Sequence, residues 1–261
     1  MPYREKRIYA GAMLEIERTH CTRSGRMIGK QSRGMGTGKA QEKINLRNAQ
    51  LKLIRLMCEN FTRGDYHITL THERLLSKEE SKKNLEKFMR KLRTLCKKTT
   101  GKELRYICVR EDRGVRPHYH LVCEKIPLTV EQLAEMWPWG RVNVGTLDGN
   151  PDYGWLARYL TKQDGADKNQ KRWSQSKNLR KPYEAPPKIL KRKSLASKPK
   201  APKGYYVLSY YHNATAAGYE WQYMICIRLD RKQELPIEIQ LKLEEEGIWS
   251  AYEESVAQHG L

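Results

Sequence analysis

The sequence lacks several features, and each absence excludes a class of protein. No apolar run approaches the ~20 residues that a transmembrane helix needs. The first 20 residues hold no uninterrupted apolar stretch of the kind found in signal peptides. The six cysteines include no C-x-x-C pair, and four of them stand among apolar residues. We therefore expect reduced, mostly buried thiols and a cytoplasmic protein.

A phosphate-binding loop is also missing. Two glycine-rich stretches, at 25–31 and 34–40, come close to the pattern G-x-x-x-x-G-K-[ST]. In both, the glycines are one residue too close together, and Gln31 and Ala40 replace the hydroxyl that the loop requires. The sequence does not support an ATPase.

Acidic residues are scarce and unevenly placed. Lysine and arginine number 50 against 30 aspartates and glutamates, which gives a net charge of +20. Residues 234–261 hold seven acids and one base, so the first 233 residues carry +26. This charge is typical of a protein that binds a polyanion, with nucleic acid the leading candidate.

The residue pattern predicts an α+β fold. Alternating apolar residues indicate strands, and a 3.6-residue period indicates helices, the clearest being 78–98 with Ser77 as its N-cap. The order β-α-β-β-α-β-α is that of a ferredoxin-like (split βαβ) antiparallel sheet with helices on one face, which leaves the other face free for a site. The predicted elements are a helix at 41–60, a strand at 66–72, the helix at 78–98, strands at 104–110 and 118–124, a helix at 129–137, a strand at 141–147 and a helix at 152–163.

We predict five segments. Residues 1–40 are a basic, glycine-rich N-terminal arm, and 41–165 are the folded domain. Residues 166–203 are a basic linker or strap, because 168–203 hold 13 bases, five prolines and a single acid. Residues 204–233 form a β-hairpin, and 234–261 are an acidic, helical tail.

Two histidines on one predicted strand can converge on a metal ion. His118 and His120 are two residues apart, so both side chains lie on one face of the strand, ~6.6 Å apart. A hydrolytic or phosphoryl-transfer site would add a carboxylate. Glu111 ends the neighbouring strand and is the preferred candidate, with Asp112 as the alternative.

The last predicted helix supplies a nucleophile. Tyr159 and Lys162 are three residues apart and share a helical face. Tyrosine is a covalent nucleophile in known enzymes, and with a metal to polarise a phosphate oxygen the pair suits attack on a phosphodiester. Tyr153 is the rival tyrosine. Trp137, Trp139 and Trp155 are expected in the core or the wall of the site rather than as platforms on which bases stack.

These residues together resemble the HUH endonucleases, and among them the rolling-circle replication initiators. The three motifs of that superfamily look like HITLTHE at 67–73, EDRGVRPHYH at 111–120 and YLTK at 159–162. The tyrosine follows the histidine pair, as in initiators, whereas relaxases place it near the N-terminus. More narrowly, residues 44–182 resemble the replication-associated proteins of bacterial phages, plasmids and mobile elements.

The resemblance implies a role for each motif residue. Glu111, His118 and His120 would bind Mg²⁺ or Mn²⁺, and Tyr159 would be the nucleophile. Lys162 would position or neutralise the phosphate. Thr69 and Thr71 would support the site or the DNA, and the following basic segment would bind single strands through Arg172, Trp173, Lys177, Arg180 and Lys181.

The resemblance also implies the reaction and its partners. Single-stranded DNA at a replication origin would be nicked, leaving a 5′-phosphotyrosyl protein and a free 3′-OH. A host helicase would unwind the duplex and a polymerase would extend the 3′-OH. The protein would act in the bacterial cytoplasm and would not bind a membrane. Two alternatives stay open: a transposase or relaxase with the same chemistry, and a non-catalytic module that binds single strands.

Overall fold

The computed structural model describes residues 2–21, 38–111, 116–161, 172–216 and 218–259. The strands are β1 (Tyr3–Ala10), β2 (Met13–His20), β3 (Tyr66–His72), β4 (Tyr106–Glu111), β5 (His118–Cys123), β6 (Gly140–Thr146), β7 (Ser174–Gln175), β8 (Tyr183–Glu184), β9 (Lys188–Leu190), β10 (Tyr205–Ala214) and β11 (Glu220–Arg228). The helices are α1 (Gly38–Asn60), α2 (Lys78–Thr100), α3 (Val130–Met136), α4 (Gly154–Thr161), α5 (Ile237–Glu245) and α6 (Ile248–His259), with a 3₁₀ turn at Leu229–Glu234. Among the described helices, none is long and apolar enough to cross a membrane.

The chain forms two compact units. One consists of Met1–Glu59, Asn150–Asp152 and Lys181–Leu261, and the other of Asn60–Gly149 and Tyr153–Arg180. We call them the sheet unit and the site unit.

The site unit has the predicted α+β fold. Its five strands lie in the order β6-β3-β5-β4-β7, and every pair is antiparallel. The strand pair β3 and β4, which α2 joins, is separated by β5, as a split βαβ arrangement requires. The predicted element order and the α+β, ferredoxin-like class are therefore confirmed. The prediction that the helices lie on one face is wrong for α4, whose Tyr159 contacts His120 on the other face.

Alternation along the strands divides the two faces of this sheet. Ile68 and Leu70 of β3 and Tyr119 and Leu121 of β5 are buried on the face that α2 and α3 cover. Helix α4 lies against the opposite face, where its Tyr159 ring contacts His120. Burial of one face by α2 and α3 thus leaves the histidines of β5 on the other. The core residues are Ile68, Leu70, Phe88, Met89, Leu92, Cys96, Leu104, Tyr106, Cys108, Tyr119, Leu121, Cys123, Ile126, Leu133 and Trp137.

The predicted N-terminal cap of α2 is present. The Ser77 hydroxyl accepts a hydrogen bond from the Glu80 amide at 3.2 Å, and the Glu80 carboxylate accepts one from the Ser77 amide at 3.2 Å. Gly101 ends the helix with φ at 71°. This reciprocal capping box satisfies two amides that the first turn would leave without partners.

Gly140 lies where the backbones of β6 and β3 come close together, and we predict that replacing it destabilises the protein. A Cβ at this position would lie 2.2 Å from the carbonyl oxygen of Thr71, and φ is +155°. Because the obstacle is backbone, Gly140→Ala is expected to lower the free energy of unfolding by about 3 kcal/mol, measured by urea denaturation. Gly145→Ala is the control on the same strand, because its Cβ would meet only the His67 oxygen at 3.7 Å. Equal stability of the two variants would contradict this account.

The sheet unit corrects the prediction of an N-terminal arm. Residues 3–20, which we expected to be irregular, form the hairpin β1–β2. The predicted C-terminal hairpin β10–β11 is confirmed, and β11 pairs with β2, so the two hairpins build one sheet in the order β10-β11-β2-β1-β8. Residues 22–37, the rest of the predicted arm, lie outside the described residues.

The predicted basic strap contributes short strands. Its β7 pairs with β4 in the site unit, whereas β8 and β9 pair with β1 in the sheet unit. Leu195 is buried, and its amide donates to the Glu220 carboxylate at 2.8 Å. The acidic tail is helical, as α5 and α6. All six cysteines are free and buried, which matches the expectation of reduced thiols.

Candidate active site

The β4–β5 hairpin brings one carboxylate and two imidazoles together. Antiparallel pairing places Glu111 directly opposite His118 and Val109 opposite His120. The Glu111 Oε2 atom is 3.1 Å from His120 Nε2 and 3.5 Å from His118 Nε2. One ligand atom from each side chain lies within 4.8 Å of the others. The convergence that alternation and a short turn predicted is therefore present.

Burial and a hydrogen bond hold His120 in one orientation. Its side chain is 3% exposed, and a distance of 3.3 Å separates its Nδ1 from the Thr69 hydroxyl. Because the Thr69 hydroxyl is hydrogen-bonded to Nδ1, the other ring nitrogen, Nε2, is the one that faces Glu111. Burial lowers the pKa of His120, although the Glu111 carboxylate opposes that shift. A neutral imidazole is the form that binds metals.

The donor set fits a divalent cation. Two imidazole nitrogens and one carboxylate oxygen are ligands that first-row divalent metals accept, and three protein ligands leave coordination positions open. The Thr69–His120 contact is the kind of outer interaction that orients a metal-binding histidine. Glu111, His118 and His120 would hold the ion.

Helix α4 places a tyrosine beside this cluster. The Tyr159 ring lies 5.2 Å from the His120 ring, edge to face at 79°, and its side chain is 42% exposed. Its rival Tyr153 is buried, and its hydroxyl donates to the Phe61 carbonyl at 3.4 Å. Of the two tyrosines, Tyr159 is the one that an incoming phosphate can reach.

The three tryptophans expected in the core or site wall differ in their environments. Trp137 is 1% exposed and belongs to the core, and Trp139 packs against that core. Trp155 is 70% exposed, and its ring lies parallel to Tyr159 at 5.6 Å. The expectation is correct for Trp137 and Trp139, whereas Trp155 lies at the surface beside Tyr159.

Strand β6 adds two polar residues that the sequence reading missed. In the register of β3 and β6, Asn143 lies opposite Thr69 and Arg141 opposite Thr71. Thr71 in turn lies opposite His118. Both Arg141 and Asn143 are exposed and, by alternation, share the face of the histidines. The polar alternation of RVNVG is the same signal that placed His118 and His120 on one face.

Two further histidines lie on β3, on opposite faces. His67 stacks on His120 at 5.5 Å, and burial together with repulsion from His120 lowers the pKa of His67 to about 4. His72 is fully buried on the helix-covered face, with its Nδ1 3.0 Å from the Pro117 oxygen. His72 is therefore part of the core, and only His67 adjoins the cluster.

The predicted DNA-binding segment follows β4 along the edge of the sheet. Ser174 pairs with Cys108, and the Arg180 amide donates to the Asn60 side chain at 2.8 Å. Lys177, Arg180 and Lys181 are exposed, and Arg172 and Trp173 are partly buried. Their binding of DNA remains a prediction. Lys162 and Asp112 lie outside the described residues.

The fold and the site together define an antiparallel α+β domain with a Glu-His-His cluster beside an exposed tyrosine. Residues 65–164 match the family model described as replication-associated protein ORF2/G2P. The matched range runs from the residue before β3 to just beyond α4, so it includes the whole cluster and Tyr159. No curated protein and no solved structure matches the chain. The family match supports a role in DNA replication and is consistent with a rolling-circle initiator.

Proposed function

We propose that the protein is a metal-dependent nickase and strand transferase that initiates rolling-circle replication on single-stranded DNA. The observation that carries the proposal is the proximity of Tyr159 to the cluster of Glu111, His118 and His120 on one sheet face. A cation-binding set alone would suit many proteins, and an exposed tyrosine alone is common. Their juxtaposition is what a phosphodiester transesterification requires.

The proposed reaction exchanges one phosphate ester for another. The Tyr159 phenol oxygen forms a bond to the phosphorus, and the bond between that phosphorus and the 3′ oxygen breaks. The phenol loses its proton and the 3′ oxygen gains one, which leaves a 5′-phosphotyrosine and a free 3′-OH. A bound Mg²⁺ or Mn²⁺ would withdraw negative charge from a phosphate oxygen. Because the ester is conserved, the same residues can reseal the strand by the reverse reaction.

The surroundings of the site provide groups that bind single strands. The site face is bordered on one side by α4 and on the other by the exposed Arg141 and Asn143 of β6. Cations and aromatic rings are the groups that hold backbone phosphates and bases of single strands. The resemblance to the initiators assigns the phosphate-neutralising role to Lys162, which lies outside the described residues.

An adduct assay tests the proposal against a binding module of the same fold. Wild-type protein is incubated with a pool of single-stranded DNA and Mn²⁺ and then run on a denaturing gel. We expect a protein–DNA band that survives denaturation. The band should not form when EDTA replaces Mn²⁺ in the reaction. Binding without any adduct across the pool would instead support the non-catalytic module.

Arg141 carries a prediction about DNA affinity. Arg141→Gln is expected to weaken binding of single strands and to reduce the slope of log K against log salt by about 0.7, the value for one lost phosphate contact on a single strand. The measurement is a salt titration of affinity in EDTA. The same substitution at Arg90, exposed on the opposite side of the sheet in α2, is the control and should leave the slope unchanged. An unchanged slope in Arg141→Gln would show that this residue contacts no phosphate.

A further inference from the structure

Trp155 is the exposed tryptophan of this chain. All six tryptophans are described, and the other five are buried or half-buried, whereas Trp155 is 70% exposed. It stands one helical turn before Tyr159 on α4, so the two side chains share a face of the helix. This spacing places a large exposed ring directly beside the proposed nucleophile.

Most of the Trp155 ring is in contact with solvent, because the residue is 70% exposed. Among the described residues its ring contact is with Tyr159, parallel at 6° with a centroid distance of 5.6 Å. The Tyr159 ring in turn meets His120 edge to face. Trp155, Tyr159 and His120 therefore form a row of rings that ends in a flat, open indole surface.

A strand that reaches Tyr159 would come close to this surface. In the proposed reaction the phosphate under attack would lie at the Tyr159 hydroxyl and the cluster, which brings an adjoining nucleotide within reach of the indole that stacks on Tyr159. Bases of single strands stack on exposed aromatic rings, because every base has a flat π-face. No other exposed aromatic ring among the described residues of the site unit adjoins the Tyr159 ring.

We propose that Trp155 is a base-stacking platform that holds a nucleotide next to the scissile phosphate. The proposal deepens the proposed function and rests on it for the identity of the ligand, single-stranded DNA. In this role Trp155 is a positioning residue: it fixes the strand so that the phosphate meets Tyr159.

An abasic scan tests the platform by coupling one side chain to one base. A single-stranded oligonucleotide is enriched from a random pool by wild-type protein in EDTA, and each base is then removed in turn. For wild-type protein, we expect one position whose loss weakens binding by about 5- to 150-fold. Trp155→Ala should weaken binding of the intact strand by a similar factor and show no further loss at that position. Trp155→Phe should keep part of the affinity and the same sensitive position.

The controls separate a platform from a structural role. Val130→Ala, at an exposed apolar residue of α3 on the opposite side of the sheet, should bind like wild-type protein and keep the sensitive position. If Trp155→Ala binds like wild-type protein, or loses affinity while every abasic position keeps its effect, the platform proposal is wrong. Binding is measured without metal, so this test does not depend on cleavage. If wild-type protein forms no adduct in Mn²⁺, the proposed function is wrong, but the binding data still show whether a base stacks on Trp155.

Discussion

Tyr159→Phe is expected to abolish the covalent adduct and to lower the rate of strand cleavage by more than about 10⁴-fold, the scale on which removal of a covalent nucleophile acts. The substitution removes one oxygen from a side chain that is 42% exposed, so stability should be almost unchanged. The ring contacts with His120 and Trp155 are retained. DNA affinity should therefore stay close to that of wild-type protein.

Two tyrosine variants serve as controls for this result. Tyr211→Phe alters a tyrosine that is 65% exposed on β10, and Tyr153→Phe alters the buried rival. Both should still form the adduct, which is measured on a denaturing gel with Mn²⁺. Normal adduct formation by Tyr159→Phe, or its loss in Tyr153→Phe without a loss of stability, would show that Tyr159 is not the nucleophile.

Removing two members of the cluster is the second large effect. The double variant Glu111→Gln with His118→Ala is expected to lower metal-dependent cleavage by more than about 10³-fold, because one imidazole is lost and a neutral amide oxygen replaces the carboxylate. Both side chains are partly exposed, at 15% and 28%, so the hairpin should tolerate the changes. Calorimetry should show weaker Mn²⁺ binding, while DNA affinity in EDTA should persist.

The matched control keeps the same chemical change away from the cluster. Glu135→Gln removes an exposed carboxylate on α3, and its Mn²⁺ binding and cleavage should equal those of wild-type protein. Full Mn²⁺ affinity in the double variant would mean that the cation is held elsewhere. Cleavage at the wild-type rate would contradict the metal-dependent mechanism.

Local patterns were sufficient to predict the main strands and helices of the site unit and the convergence of Glu111, His118 and His120. The alternation of HYHLVC indicated that His118 and His120 share a face, and the short connection from β4 indicated that Glu111 lies opposite them. Strand pairing between neighbours in the sequence needs no knowledge of distant residues. The capping box at Ser77 was predictable for the same reason, since both partners lie within one helical turn.

Contacts between distant parts of the chain were not predictable in this way. The sheet unit depends on β11 pairing with β2, two strands about 200 residues apart, and neither strand carries a signal that names its partner. The irregular polar and apolar order of residues 3–20 likewise reflects buried ion pairs, such as Glu5 with Arg18 at 2.7 Å. Charged residues at buried positions interrupt the alternation of polar and apolar residues by which a strand is recognised in a sequence.

The exposure of Trp155 also depends on tertiary contacts that local sequence patterns do not predict. Helical spacing relates Trp155 to Tyr159, but it does not say whether the indole points into the core or into solvent. The answer depends on which stripe of α4 packs on the sheet, and that stripe is Leu156, Ala157 and Leu160. A short helix with apolar residues on several sides leaves this choice to the tertiary structure.

The most direct test of the account is to locate the DNA on the protein by mass spectrometry. Trypsin cuts after Arg158 and Lys162, so Tyr159 lies on the peptide YLTK, whereas Tyr153 lies on the preceding peptide, 142–158. Adduct formed with single-stranded DNA and Mn²⁺ is digested with nuclease and trypsin, and the modified peptide is sequenced. We predict a 5′-phosphonucleotide on Tyr159 of YLTK that is absent when metal is withheld. A nucleotide on any other residue, or a metal-independent adduct, would contradict it.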